Sequence, residues 1–227
     1  MTKKTLPAAL FTILAFAASA FAQAPVAVVE DVSSKSAGVE FMDYVAPGKV
    51  IKLQSGDSII LGYLRSCWRE TINGGTVTVG HAQSDVSGGT IARVRVECDG
   101  GRMELAAAQA KQSAATVFRK VTTIRSVPKP QFTIYGRSPV VELKGGGKIV
   151  IERVDKVNGE RFELTIPPNV LVRGAFYDLV RAGKSLHPGG IYRATMADQL
   201  IVFEVDKAAK EGAAPINSRL LRFQPPS

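Results

Sequence analysis

The sequence contains few residues of the kinds that usually carry chemistry. Its 227 residues include two cysteines, two histidines and one tryptophan. This leaves little material for a buried metal site or a histidine-based catalytic triad, so we expect no metal and no other cofactor. The 21 glycines and 12 prolines follow no fixed period, which excludes a collagen-like chain or a solenoid array. Charged and hydrophobic residues occur at the levels of a globular protein with a real core.

Only one long apolar run occurs, and it lies near the N-terminus. Residues 6–22 carry no charge, follow the basic residues Lys3 and Lys4, and end in the small-x-small pattern Ala20-Phe21-Ala22. This arrangement is typical of a secretory signal peptide. We therefore expect residues 1–22 to be cleaved after Ala22 and the mature chain to be exported to the periplasm. The alternative is an uncleaved membrane anchor, because the run approaches the length of a membrane span.

The net charge of +9 does not indicate a nucleic-acid partner. Removing Lys3 and Lys4 with the signal peptide leaves +7, which is spread along the chain with no more than two basic residues in a row. A nucleic-acid-binding face needs clustered basic residues with interleaved aromatic residues. We expect a solvated basic surface, no nucleic-acid partner and no stable membrane insertion after cleavage. Weak attraction to anionic envelope polymers or lipid surfaces stays open.

Turn signals and short apolar runs divide the rest of the chain into two β-rich modules. Residues 23–44 lack a clear periodicity and are predicted to form an extended leader. Residues 45–125 and 131–227 hold short β-branched runs between glycine-containing turns. Residues 126–130 contain two prolines and are predicted to be a stiff linker. The predicted fold is mainly all-β, with two small antiparallel β modules, the second sandwich-like, and one or two short helices. The helices are expected at about residues 106–115 and 174–182.

Two strand patterns make sharper predictions. Residues 49–53 and 58–63 are predicted to be separate strands, with a turn at residues 54–57 (QSGD) between them. In residues 90–97 the side chains alternate, which predicts one buried face and one solvent-exposed face. The face predicted to be buried consists of Ala92, Val94 and Val96.

Cys67 and Cys98 are predicted to form a disulfide. An isolated, even pair of cysteines in an exported chain usually means a disulfide, and both residues fall in predicted strand regions. Closing a loop of about 30 residues would stabilise the fold by roughly 3–4 kcal/mol on the chain-entropy model. The alternative is a redox pair or a cysteine nucleophile, for which His81 and His187 are the only histidine bases.

The motifs that resemble catalytic signatures are incomplete. Residues 144–148 (KGGGK) lack the serine or threonine and the helix of a phosphate-binding loop, and are predicted to form a hairpin turn. Ser126 and Lys129 have the Ser-x-x-Lys spacing of penicillin-recognising hydrolases, but a proline follows directly and disfavours the required helix. His81 and His187 lack the spacing of a helical metal site and are predicted to be exposed turn residues.

Two longer stretches carry patterns that extend beyond single strands. The first contains glycine-punctuated strands, GKVIKLQSGDSIILGYLRSCWRETINGGTVTVG, and a strand–Asp-Gly–strand segment, RVRVECDGGRMEL. On these features residues 44–125 resemble a FecR-type periplasmic domain, the β-rich module of ferric-citrate-regulator-like proteins. The second, SLHPGGIYRATMADQLIVFEVD, is similar to fibronectin- or Ig-like modules, in which a Leu-x-Pro-Gly-x-x-Tyr turn precedes the final strands. The resemblance implies a protein-binding or envelope-sensing adaptor without catalytic residues.

The sequence therefore predicts a periplasmic, non-enzymatic binding or sensory accessory protein. Its expected partner is a protein of the cell envelope, such as a membrane signalling receptor, bound through loops on a strand scaffold. The candidate binding residues are Arg65, Trp68, Arg69, His81 and His187. One alternative is an envelope hydrolase or cell-wall-binding protein, with Asp178, His187 or Ser126 as candidate catalytic residues. Another is a structural subunit of a secretion or surface assembly.

Overall fold

The computed structural model describes residues 23–102, 127–143, 145–197, 199–213 and 215–223. The predicted signal peptide with its cleavage site, the helix predicted at residues 106–115 and Ser126 lie outside these ranges. Within them the chain consists mostly of β-strands, which confirms the predicted all-β fold. The helical elements assigned there are three short segments of 3₁₀ helix.

In the part of the chain that the structure describes, six strands form the first module. They are β1 (Ala27–Val32), β2 (Tyr44–Val45), β3 (Val50–Tyr63), β4 (Trp68–Val79), β5 (Ser84–Ser87) and β6 (Thr90–Arg95). The strands pair antiparallel in the order β2-β1-β3-β4, and β5 and β6 lie along successive halves of β4. Alternate side chains of β1, β3 and β4 form a buried apolar core, which Ala37 and Val39 complete from a loop.

The segment predicted to be a leader belongs to this sheet. Strand β1 lies between β2 and β3, and its first three residues are fully buried. The separate extended leader at residues 23–44 is therefore wrong. An internal strand can be apolar on both faces and so lacks the alternation that would have identified it.

Strand β3 also differs from its prediction, because residues 54–57 do not connect two strands. Strands β3 and β4 pair on both sides of residues 54–57, and the pairing shifts register between Leu53 and Ser58. Within the irregularity Asp57 accepts a hydrogen bond from the Gln54 amide at 2.9 Å, and Gly56 has a φ of +92°. The turn-forming residues thus make a bulge inside one long strand.

The face of β6 predicted to be buried is the exposed one. The Val94 side chain is 62% exposed, and Ala92 is exposed as well. Strand β6 pairs with β4 so that Ile91 lies opposite Ile72, and Arg93 lies opposite Glu70. Because Glu70 is buried, its ion pair with Arg93 places the arginine face of β6 on the side of the sheet that carries Glu70, although Arg93 and Arg95 stay exposed to solvent.

The described residues of the second module form eight strands in two sheets. They are β7 (Phe132–Gly136), β8 (Val140–Glu142), β9 (Gly147–Arg153), β10 (Arg161–Ile166), β11 (Phe176–Asp178), β12 (Ile191–Met196), β13 (Gln199–Lys210) and β14 (Leu220–Arg222). One sheet has the order β10-β9-β12-β13-β7 and the other β11-β8-β14. The β7–β13 and β8–β14 pairings are parallel, and the others are antiparallel. Buried side chains from both sheets form a single apolar core, which confirms the predicted sandwich.

The helix predicted at residues 174–182 is mostly absent. Phe176–Asp178 is strand β11, which pairs with β8, and only Leu179–Ala182 forms one turn of 3₁₀ helix. The Asp178 carboxylate caps this turn by accepting a hydrogen bond from the Val180 amide, and Gly183 ends it with a left-handed φ of 61°. Pairing with β8 thus overrides the local helical preference.

A third apolar cluster joins the two modules. Its buried members are Val28, Met42 and Leu64 from the first module and Val140, Phe176, Ile216 and Leu220 from the second. The edge of the Tyr44 ring packs against Phe176 with the ring centroids 5.4 Å apart, and its hydroxyl donates to Glu142 at 2.8 Å. On the outside, Arg173 pairs with Asp43 at 2.8 Å and with Glu40 at 2.7 Å.

Gly62 has no side chain, and this leaves room for a polar network between the two modules. The Glu30 carboxylate reaches Arg69 Nε at 2.7 Å and accepts a hydrogen bond from the Asn217 amide at 3.3 Å. Asn217 in turn donates to the Tyr63 carbonyl at 3.3 Å. A Cβ at Gly62 would lie 2.6 Å from a Glu30 oxygen, so only glycine leaves the carboxylate its place. The two modules are therefore joined by complementary contacts rather than by the linker alone.

Candidate binding surface

Two loops meet at one end of the first module. The hydroxyl of Ser66, in the turn between β3 and β4, donates to the Ala82 carbonyl at 2.5 Å, in the loop between β4 and β5. The Val96 amide donates to the Cys67 carbonyl at 2.9 Å, which brings the end of β6 to the same place. Two loops and the end of β6 therefore lie together at one end of the sheet.

A disulfide fixes this end. The sulfurs of Cys67 and Cys98 are bonded, and their Cα atoms are 5.6 Å apart, as predicted from the sequence. Neither cysteine lies in a strand, contrary to expectation. Cys67 has a left-handed φ of 58° in the turn before β4, and Cys98 follows β6. The bond therefore ties the β3–β4 turn to the chain that leaves the sheet.

Trp68 and Arg95 form the aromatic part of this surface. They lie opposite each other on β4 and β6, and the Arg95 guanidinium carbon is 5.4 Å from the centroid of the Trp68 ring. A guanidinium over an indole face is a cation–π contact. The Trp68 ring is half-buried and packs against the core, so it serves the fold while part of it reaches solvent.

Arg65 and His81 complete the surface. Arg65 lies in the β3–β4 turn, where its aliphatic stem packs close to Gly101, and its side chain is exposed. His81 is exposed beside Ala82 in the neighbouring loop. We call Arg65, Trp68, His81 and Arg95 the basic-aromatic surface. Arg95 was not among the residues singled out from the sequence, because its position beside Trp68 depends on the register between β4 and β6.

A buried polar network supports this surface from below. Glu70 is fully buried and accepts hydrogen bonds from the Ser84 amide and from Arg93 Nε at 2.8 Å. The Ser84 hydroxyl lies 2.8 Å from the Tyr63 hydroxyl, and burial raises the pKa of Tyr63 to about 12. The sequence could have indicated that Glu70 is buried, because Glu70 shares a strand face with the apolar residues Trp68 and Ile72. The network fixes the position of the loop that carries His81.

The other two predicted binding residues lie elsewhere. Arg69 follows Trp68 in β4, so its side chain points to the opposite face, where it pairs with Glu30 at the module interface. His187 lies in the second module before β12, with its Nδ1 atom 2.8 Å from Glu160. The structure thus places Arg65, Trp68 and His81 at one end of the first sheet. Arg69 and His187 lie elsewhere.

His187 belongs to a hydrogen-bonded corner, which we define as Tyr192, Glu160 and His187. The buried Tyr192 hydroxyl donates to the Glu160 carboxylate and accepts a hydrogen bond from the His187 amide at 2.9 Å. Burial, reinforced by the nearby carboxylate, raises the pKa of Tyr192. Burial alone would also raise the pKa of Glu160, but the hydrogen bonds from Tyr192 and His187 outweigh it and hold that pKa below its usual value. The corner clamps the loop that precedes β12.

Replacing Glu160 with glutamine should lower stability at neutral pH by about 1–2 kcal/mol, because charge-assisted hydrogen bonds become neutral ones. A carboxyl whose folded-state pKa is depressed stabilises the fold above its unfolded-state pKa, and this contribution is lost as the pH falls through the folded-state value. The wild type should therefore lose its advantage over Glu160→Gln between about pH 5 and pH 3. Urea unfolding at pH 7 and pH 3 measures the difference. The control is Glu211→Gln at an exposed ion pair, and an advantage that persisted at pH 3 would contradict the assignment.

Asp178, the other candidate catalytic residue, is held in a structural ion pair. Its two carboxylate oxygens accept hydrogen bonds from the buried Arg219 at 2.7 and 2.8 Å, and one of them also caps the 3₁₀ turn. This bidentate geometry accounts for an acidic residue at that position. The third catalytic candidate, Ser126, lies outside the described residues.

Among the described residues, no group of three or more histidine, cysteine, aspartate and glutamate side chains is arranged to hold a metal ion. In the same part of the chain, no helix has the length and apolar character needed to cross a bilayer. Comparison of the chain with protein-family models, with curated proteins and with solved structures finds no match. Any functional assignment therefore starts from the geometry of the two modules.

Proposed function

We propose that this protein is an exported, non-enzymatic binding module that contacts a protein of the cell envelope through the basic-aromatic surface. The observation that carries the proposal is the convergence of Arg65, Trp68, His81 and Arg95 at one end of a sheet held by a disulfide. Arginine and tryptophan are enriched among the residues that dominate binding energy at protein interfaces. The disulfide supports an oxidising compartment, which agrees with the proposed signal peptide and periplasmic location.

The geometry of the second module supports its assignment as Ig-like. Strands β9, β12 and β13 form the centre of one sheet, and the antiparallel pair β8 and β11 belongs to the other, which resembles an Ig-type arrangement apart from the parallel strand β14. The hydrogen bond between the Tyr192 hydroxyl and the His187 backbone resembles the tyrosine corner of such sandwiches. With a FecR-like first module, the protein would be a sensory accessory beside a membrane signalling receptor.

A second candidate function, an envelope hydrolase, has one observation in its favour. Glu160 holds His187 Nδ1 at 2.8 Å, which is how a carboxylate orients a catalytic imidazole. On this alternative, the purified protein should hydrolyse a peptidoglycan or ester substrate, and His187→Ala should abolish the turnover. The binding proposal expects no turnover and no effect of His187→Ala on the partner.

Site-specific crosslinking tests the proposed function. A photoreactive amino acid at position 95 should crosslink a discrete envelope protein in intact cells, whereas the same residue at position 211, exposed on the second module beside Arg137, should not. With that protein purified, Arg65→Glu plus Arg95→Glu should raise the Kd at least about tenfold, because like charges would then face the partner. A crosslink that is equal at both positions, or a Kd unchanged by charge reversal, would reject the basic-aromatic surface as the binding site.

A further inference from the structure

The outer edge of β10 lies beside an apolar cleft. Strand β10 ends its sheet and, among the described residues, pairs only with β9. The cleft, of about 290 Å³, opens where β10 approaches the opposite sheet. Its lining residues are Leu164, Thr165, Ile166, Pro167, Val170, Tyr177 and Arg181. The sheet edge and the cleft share Leu164, Thr165 and Ile166, so a single ligand can bind to both.

The backbone of β10 offers hydrogen-bonding groups to such a ligand. The Glu160 carbonyl accepts from the Arg153 amide at 2.8 Å, which sets the alternation of the antiparallel ladder. Residues 162, 164 and 166 therefore bond to β9, and the amides and carbonyls of residues 161, 163 and 165 point outward. The edge is about 20 Å long, which is enough for a peptide of five or six residues.

The side chains of an added strand would meet the cleft. Successive side chains of a strand alternate between the two faces of its sheet. On β10 the inward face carries Leu164 and Ile166, which line the cleft. An extended peptide on the edge would place every second side chain on that face, over the apolar floor, where an aliphatic residue fits.

Arg181 is the basic residue among those that line the cleft. Arg181 is exposed, and its guanidinium donates to the Val170 carbonyl at 3.5 Å, the limit of a hydrogen bond. A carboxylate would be a far better acceptor, since arginine binds it in a bidentate, charge-assisted geometry. Lys184 adds a second cation near the start of β10, with its Nζ 5.5 Å from the centroid of the Phe162 ring.

We propose that the β10 edge binds an extended peptide of a partner protein, which adds a strand to the sheet, inserts an aliphatic side chain into the cleft and pairs a carboxylate with Arg181. The charges favour this occupant over a second copy of the chain. Around the edge, Arg181 and Lys184 are basic, whereas Glu163 is already paired with Lys148 and Arg161. Two copies would bring like charges together, but an acidic peptide would neutralise them. This surface lies in the second module and does not depend on the basic-aromatic surface.

Fluorescence anisotropy with the full protein tests the proposal. The probe is a fluorescein-labelled hexapeptide in which two valines alternate with threonines and precede an aspartate; a second probe has asparagine in place of the aspartate. We expect the aspartate probe to bind at least about tenfold more tightly, a difference of about 1.4 kcal/mol. Arg181→Gln should remove this preference. The matched control Arg161→Gln removes the same charge from the outer face of β10 and should change the affinity less than threefold.

A backbone substitution tests strand addition separately. The Thr165 amide points away from β9, so Thr165→Pro removes an outward donor without breaking the existing ladder. This variant should keep the thermal unfolding midpoint of the wild type and lose at least about tenfold in affinity for both probes. Equal affinity for the two probes, or an Arg181→Gln variant that keeps the preference, would overturn the proposal. So would self-association that Thr165→Pro abolishes, because it would assign the edge to a second copy of the chain.

Discussion

Replacing Arg93 with methionine should destabilise the protein by about 3 kcal/mol. The substitution removes the guanidinium that pairs with Glu70, whose carboxylate is fully buried, and leaves that charge without a counterion. Breaking a buried ion pair costs about 3–5 kcal/mol. We expect the lower end, because the Arg93 side chain is 31% exposed and water can partly replace it. Urea unfolding followed by circular dichroism measures the loss.

Two comparisons separate this effect from the loss of packing. The double variant Arg93→Met plus Glu70→Met removes both charges and should recover a large part of the stability, since no ion then stays buried. Arg161→Met breaks an exposed ion pair with Glu163 and should cost less than about 1 kcal/mol. If Arg93→Met and Arg161→Met were equally stable, Glu70 would not depend on its arginine.

Removing the disulfide should cost about 3–4 kcal/mol. Cys67 and Cys98 are 31 residues apart, and on the chain-entropy model their bond restricts the unfolded chain by about this amount. The double variant Cys67→Ala plus Cys98→Ala should unfold at correspondingly lower urea concentration. Reducing agent should destabilise the wild type to the same level and leave the variant unchanged. A variant as stable as the oxidised wild type would show that the bond is not a structural constraint.

The thiol content checks the bond directly. Titration of the denatured, unreduced protein should find no free thiol, because both cysteines are bonded to each other. Two free thiols per chain would contradict the structure and return the redox and nucleophile alternatives to consideration.

Local sequence patterns predicted much of the architecture because they report local forces. Alternating β-branched runs between glycine-containing turns indicated an all-β chain with a sandwich in its second half, and the structure has both. The cysteine pair was predictable because an isolated pair in an exported chain has few other uses. The predictions that were wrong, at residues 23–44, 54–57 and 174–182, concern segments whose structure is decided by a strand distant in sequence.

The candidate site was predictable only where its members are neighbours in sequence. Arg65 and Trp68 belong to one turn and strand, and the structure keeps them together. Arg95 joins them through the β4–β6 register, and alternation alone assigned the faces of β6 in reverse. That reversal follows from Glu70, a single buried carboxylate that binds Arg93. A hydropathy pattern counts arginine as a solvent-exposed residue and therefore cannot predict an ion pair between a buried carboxylate and an arginine.

The contact between Asn217 and Glu30 also bears on how the chain folds. These residues are 187 positions apart, and Asn217 and Tyr63 are 154 apart, so both contacts close very long loops. Closing loops of this length costs conformational entropy before the contacts begin to stabilise the fold. Folding also slows as the mean sequence separation of contacting residues grows. Each module core can form from its own strands. We therefore expect the interface around Gly62 to be the last part of the molecule to assemble.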